Sequence, residues 1–374
     1  MTDASVHPHV AICVSRFARL FGEDGPGAVS VKDVLERQAV ALLTEHAARD
    51  EACAVPLRGL KKLFMAEADA IVAAEVTLDD ARDAIAIEHG FEGWEAVEAG
   101  CTARLDVPFE AAADAIADGR LDDLRALLDA EPGLAQKTSF YGHRSTLLHY
   151  VAANGIEMRR QRSPKNLTEI AGLLLERGSV VDALAGTYGG DVNQTTLGLL
   201  VTSGHPAEAG VQVDVVKLLL EHGAAANGLD GVGGPLRFAL EFGHLDAARA
   251  LVDGGARVDD LVAAAGMGLL DRIPALFEAA DDDSRGRALV RAAQYGHAVL
   301  VQELLDRGGA VDVSPDRGVT ALHEASYGGH VDVVERLLLA GADRAIRDTI
   351  HGAEASQWAD VGGHTDLAER LRRQ

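Results

Sequence analysis

Along residues 318–344, GVTALHEASYGGHVDVVERLLLAGADR, the order of apolar and polar positions predicts two short helices joined by a turn. Ala321, Leu322 and Ala325 fall at i, i+1 and i+4, a narrow apolar face of small residues that lets a neighbouring helix approach. Thr320 is placed to cap this helix, its hydroxyl accepting from a first-turn amide that has no partner within the helix. Gly328 and Gly329 end it. Val331, Val334, Leu337 and Leu338 then resume helical spacing, with Asp332 near the positive end of the second helix dipole. Gly341 supplies a left-handed C-terminal position that a Cβ would resist. A pair this small cannot bury its faces alone, so it must stack on neighbours.

The same order recurs in GRALVRAAQYGHAVLVQELLDRGGAVD at 286–312 and GPLRFALEFGHLDAARALVDGGARVD at 234–259. Gly296, Gly329 and Gly363, each just before a second helix, are separated by 33 and 34 residues. These units resemble ankyrin repeats, with TALH at 320–323 and LLLAGAD at 337–343 matching the family pattern. The resemblance covers residues 105–374 in about seven to eight units. FEAAADAIADGRLDDLRALLDAEPG, 109–133, reads as a first unit with a polar outer face. STLLHYVAANG at 145–155 and TTLGLLVTSGH at 195–205 open the next two, residues 263–280 form a short degenerate unit, and GAEASQWADVGGHTDLAERLRRQ reads as the C-terminal cap. No unit carries a complete T-P-L-H, and only Pro235 fills the proline position. The resemblance implies an all-α fold, an ankyrin-repeat α-solenoid, and non-catalytic protein–protein interaction through the concave face of first helices and finger turns.

Residues 1–104 do not repeat. Two amphipathic segments stand out, VKDVLERQAVALLTEHAARD at 31–50 and TLDDARDAIAIEHGFEGWEAVEAG at 77–100. Thr77 with Asp80 has the spacing of a capping box, Gly90 ends that helix, and Phe91 and Trp94 follow as an aromatic anchor. The layout resembles bacterial ankyrin-repeat proteins in which a helical segment ending in G-F-x-x-W precedes the repeats. Residues 1–104 are then a helical N-terminal cap on the stack, or else a separate recognition module.

Composition narrows the chemistry. Among 374 residues only 4% are aromatic, so the core is built from Ala and Leu at close helix spacing. Asp and Glu number 58 against 35 Lys and Arg, a net charge of -23 whose field repels phosphate backbones and anionic lipid; neither nucleic acid nor membrane is expected as a partner. Three cysteines with no C-x-x-C spacing argue against a disulfide framework or a zinc site. The N-terminus MTDASVHPHV lacks a signal-peptide pattern and no apolar run is long enough for a membrane helix, so a cytoplasmic protein is expected. With no H-E-x-x-H, G-x-S-x-G or G-K-[ST] motif, no catalytic residue, metal or cofactor is expected.

Most of the 14 histidines have structural addresses. His149 and His323 sit at the L-H position, which implies bonds to neighbouring turns. His205, His244, His297, His330 and His364 sit at the G-H position, where a ring can serve unpaired helix amides. Gly189 and Gly190 read as a finger turn, and Asp281, Asp282 and Asp283 as a solvated turn.

One stretch does not fit the acidic background. GIEMRRQRSPK, 155–165, gathers Arg159, Arg160, Arg162 and Lys165, with Lys137, Arg144 and Arg177 nearby. Gly329 to Leu337 is eight residues in the regular unit, but Gly155 to Leu173 is eighteen and Gly204 to Leu218 fourteen. Insertions near 156–168 and 206–212 therefore interrupt two adjacent units, and insertions in repeat proteins often mark a binding face. Arg159, Arg160, Arg162, Lys165, Arg144, Tyr141 and Tyr188 are candidates to grip an unidentified protein partner with an anionic patch. Alternatively the arginines pair with the protein's own acids and brace the loop. A rival function, an enzyme or small-molecule or anion binder at the junction of repeats two and three, would use Tyr141, His149, Arg160, Tyr188 and His205.

Overall fold

The computed structural model describes residues 7–22, 25–27, 29–64, 66–101, 103–187, 192–315 and 317–373. Two compact units emerge, Met1–Leu229 and Asp230–Gln374.

The first unit opens with the helix Pro8–Phe21, then Val31–Ala47 and Leu78–Glu88, which pack on each other, and Trp94–Gly100. Val31, Val34, Leu35, Ala39 and Leu42 repeat at helical spacing and are fully buried against Ala81, Ala84, Ile85, Trp94 and Val97. Thr77 and Asp80 form the capping box read from their spacing: the Thr77 amide donates to the Asp80 carboxylate at 2.8 Å and the Asp80 amide to the Thr77 hydroxyl at 3.2 Å. The first helix pair is Val107–Asp118 with Leu121–Ala130. A 3-10 turn, Leu147–Ala152, opens the next unit, and its long helix is Leu167–Glu176. Strands Ala185–Thr187 and Val192–Gln194 form an antiparallel finger in which Ala185 faces Gln194. Thr196–Leu200 and Gln212–Glu221 complete a third pair, with a short helix, Gly204–Glu208, inside the insertion. Gly189 and Gly190 lie outside the described residues.

Among the described residues the second unit stacks five helix pairs, each first helix packing on the next. Their first helices are Gly234–Glu241, Leu261–Gly266, Asp282–Gln294, Ala321–Tyr327 and Ala355–Val361. The marker glycines Gly296 and Gly329 have two reasons to lack a side chain. At Gly296 and Gly329, φ is +71 and +66, and a Cβ would stand 2.7 and 2.4 Å from the imidazoles of His330 and His364 in the following unit.

Three expectations change here. In the helix Val331–Leu339 it is Val333, not Val331, that joins Val334 and Leu337 in the core; Val331 opens the helix on the solvent side. The ring nitrogens of His297 and His330 reach not amides but the terminal carbonyls of the preceding first helix, Gly266 O at 3.0 Å and Gln294 O at 2.9 Å. These are the C-terminal acceptors that a helix leaves unpaired. Asp281, Asp282 and Asp283 are not a free turn: Asp281 caps the helix Asp282–Gln294 by accepting from the Ser284 amide at 2.8 Å.

Candidate functional site

The inserted stretch folds inward. Its turn Met158–Arg160 lays Arg160 against the first helix of the first repeat with 0% side-chain exposure. The Arg160 guanidinium donates to Asp114 Oδ1 at 2.7 Å, Glu110 Oε2 at 2.9 Å, the Glu110 carbonyl at 3.0 Å and Glu157 Oε1 at 3.3 Å. Arg159 donates to Asp114 Oδ1 at 2.6 Å and stacks 4.1 Å from the centre of the Phe17 ring. Arg162 bridges the Asp118 carboxylate and the Arg159 carbonyl. Glu110, Asp114 and Asp118 stand at i, i+4 and i+8, one carboxylate per turn of the helix Val107–Asp118. The basic stretch and this acidic ladder are complementary, residue by residue. Lys165 alone among the four cations at 159–165 makes no ion pair among the described residues; its Nζ donates to the Ala209 carbonyl at 2.6 Å, tying one insertion to the other.

The electrostatics follow from burial and contact. Burial opposes ionisation of Asp114, but Arg160 and Arg159 overcome it and hold its carboxyl well below the usual range. Glu157, fully buried, is likewise held down, by Arg160 and by His143, whose Nε2 lies 3.5 Å from Glu157 Oε1. Glu110 goes the other way: burial and the neighbouring Glu157 raise it despite the Arg160 contact. Two guanidinium groups cannot neutralise three carboxylates, and the carboxyl that rises is the one that balances the charge.

Of the aromatic candidates, Tyr141 is also inside. Tyr141 is buried between His89 and His143, with ring centres at 4.8 and 6.0 Å. Tyr150 donates from its hydroxyl to Glu157 Oε1 at 3.1 Å and faces the Arg160 guanidinium. Arg144 is exposed, and Tyr188 lies outside the described residues.

The described members of the rival set each have other partners. His149 has both ring nitrogens in use: Nδ1 accepts from the Thr146 amide at 3.1 Å, and Nε2 faces the carbonyls of Ala183 at 3.1 Å and Gln194 at 3.3 Å. His205 stands half-buried beside His7 instead, 6.4 Å between ring centres, while Arg160 is spent on Glu110, Asp114 and Glu157. Burial lowers His149 to about 4. The unfolded chain takes up a proton near pH 6.5 that the folded chain refuses, so this group's contribution to stability falls as pH drops from 6.5 to 4, by about 1.4 kcal/mol per unit. An imidazole NMR titration should place His149 near pH 4; a midpoint near 6.5 would show that its neutral form is not enforced. No group of His, Cys, Asp or Glu among the described residues is placed to hold a metal ion.

Comparison with known proteins places these units in a class. Residues 261–348 match ankyrin repeats in three copies. Across a longer stretch the chain is 31% identical over 229 residues to the probable E3 ubiquitin-protein ligase XBOS32 of Oryza sativa subsp. japonica, covering 60% of this chain and 36% of that protein. It is 28% identical over 197 residues to the ankyrin repeat and KH domain-containing protein mask-1 of Caenorhabditis elegans, covering 50% of this chain and 7% of that protein. With the 2-5A-dependent ribonuclease of Mus musculus it shares 44% identity over 64 residues, 17% of this chain and 8% of that one. The chain thus spans well under half the length of these relatives. The fold class is all-α with ankyrin repeats. Among the described residues no helix is long and apolar enough to cross a membrane.

Proposed function

We propose that the chain is a non-catalytic protein-interaction module of the cytoplasm, with residues 1–104 as a helical cap and residues 105–374 as the repeat array, as in the bacterial proteins it resembles. The carrying observation is a pair of exposed apolar residues where the last two first helices end. Tyr327 closes one first helix with 51% exposure and Val361 the next with 79%, at the same place three residues before the Gly-His histidine. Phe242, 56% exposed, ends an earlier first helix. Apolar side chains at repeat-equivalent positions present an extended surface rather than a closed pocket, and this suits a protein partner. The acidic charge of the chain favours a partner with basic residues at the rim of that contact. Neither nucleic acid nor a membrane surface suits that charge.

The test is binding by the full chain carrying Tyr327→Ala and Val361→Ala. Partner affinity, measured on a protein recovered by affinity capture, is expected to fall at least about tenfold, with the thermal midpoint within about 1 °C of wild type. Unchanged affinity would remove this surface from the function. The exposed cations of the inserted loop and of the turn before residue 145 form a second candidate contact for an anionic patch, reduced to Lys165, Arg144 and the rim of Arg162. Lys165→Glu with Arg144→Glu should weaken such a contact in a salt-dependent way without destabilising the fold; equal binding at low and high salt would remove it.

A further inference from the structure

The inserted loop is already occupied on its outer side. The helix Pro8–Phe21 lies across the turn Met158–Arg160 and the helix Val31–Ala47. Its buried stripe is Val10, Cys13 and Arg16, at i, i+3 and i+6, with Phe17 and Phe21 along the edge. Arg16 donates from Nε to Glu45 Oε2 at 2.8 Å and from Nη2 to the Ala52 carbonyl at 3.1 Å. Arg19 adds a bond to the other Glu45 oxygen at 2.7 Å, and Arg159 stacks on Phe17. Below them a carboxyl oxygen of Glu88 is sealed from solvent, with Cys13, Arg16 and Arg159 as neighbours.

This contact is polar as well as apolar. One of its three buried positions is an arginine, so the seat is shaped as much for a cation as for apolar bulk. The seat also has a partner of its own outside the helix: Arg159 donates to Asp114 Oδ1 at 2.6 Å. The stretch joining the helix to the rest, GEDGPGAVS at 22–30, has three glycines and a proline in nine residues. The turn that completes the seat belongs to an insertion that a regular repeat lacks.

We propose that this seat is a helix-docking groove and that the helix Pro8–Phe21 is its built-in, exchangeable occupant. The partner it fits is an amphipathic helix that presents a small apolar residue, an arginine one turn later and an aromatic residue beside it. That is the pattern Cys13, Arg16, Phe17, with the Glu45 and Glu88 carboxyls as the floor. This surface is separate from the pair at Tyr327 and Val361, and either can fail without the other.

Cys13 reports on the exchange because its thiol is covered by the helix, whereas Cys53 and Cys101 belong to the core beneath. The native full chain is treated with N-ethylmaleimide and modification of each cysteine is followed by mass spectrometry. The probe is a synthetic peptide of residues 7–22 with Cys13→Ser. A tethered segment has an effective concentration in the millimolar range, so the peptide is used up to about 1 mM. Cys13 is expected to react at least about tenfold faster than Cys53, the signature of local rather than global opening. The peptide is expected to raise the Cys13 rate several-fold and saturably, leaving Cys53 unchanged, and an Arg16→Glu peptide is expected to do nothing. Equal rates at Cys13 and Cys53 would overturn the proposal. So would a fast Cys13 that ignores the peptide, since the helix would then fray without leaving an exchangeable groove.

Discussion

Arg160→Met is expected to cost the first unit about 3–5 kcal/mol, the range for removing one partner of a buried charge pair. The guanidinium is fully enclosed and is the common partner of Glu110, Asp114 and Glu157. Its removal leaves the buried Glu110 and Glu157 and the partly exposed Asp114 facing one another, with Arg159 as the remaining cation. Methionine matches the length of the stem, so the loss isolates the charge rather than the volume. For a unit of this size the thermal midpoint should fall by on the order of 10 °C, and the Asp114 and Glu157 carboxyls, no longer held down, should titrate upward. Acid sensitivity has a defined sign. Carboxyls depressed in the folded state contribute stability above their unfolded range near 4, and that contribution is lost as pH falls toward their folded values. The variant should therefore show a smaller loss of stability between pH 5 and pH 3 than the wild type. A midpoint within about 2 °C of wild type would mean that Arg160 is not a structural charge.

The same geometry changes how a charge-reversal experiment on this loop is interpreted. Arg159→Glu, Arg160→Glu and Arg162→Glu together would set three acids against Glu110, Asp114 and Asp118, so lost binding would only report lost folding. Lys165 and Arg144 are the positions at which reversal can test a partner.

What the sequence made legible was what repeats locally. The 33-residue spacing of Gly296 and Gly329 and the Thr77–Asp80 cap can be read from a few neighbouring residues, and each appears as a defined geometry. The destination of the arginines was not legible by the same means, because their partners lie about 45 positions away on another repeat. A signal did exist in the i, i+4, i+8 spacing of Glu110, Asp114 and Asp118. It was open to the ordinary interpretation of an acidic, solvated helix face. Tyr141 was a candidate for a surface contact because a tyrosine on a finger loop is usually there to touch something. It touches the protein's own core, joining Val31, Leu35 and Ile85. That depends on how closely two glycine-bearing turns from distant parts of the chain meet, which no local pattern encodes.

Gly142→Ala tests that meeting directly. A Cβ at position 142 would stand 2.4 Å from both the carbonyl carbon and the oxygen of Gly90, and 2.5 Å from the Phe91 amide nitrogen. All three are backbone atoms, so no rotamer change can make room. Gly90 is equally constrained, at φ +80 with the His143 amide 2.5 Å from where its own Cβ would be. The Gly142 amide also donates to the His89 carbonyl at 3.0 Å, the bond that locks the finger to the end of the helix Leu78–Glu88. The added methyl must push the finger outward, breaking that bond and drawing Tyr141 out of the core beside His89. Overpacking that cannot relax costs about 3 kcal/mol, and the loss should appear as a lower thermal midpoint together with faster amide exchange in residues 139–146. Gly133→Ala is the matched control: φ is -140 and nothing lies within 4 Å of a Cβ there, so its effect should stay within about 0.5 kcal/mol. If both variants proved equally mild, the finger would not be held against the N-terminal helices by backbone contact, and the burial of Tyr141 would need another cause.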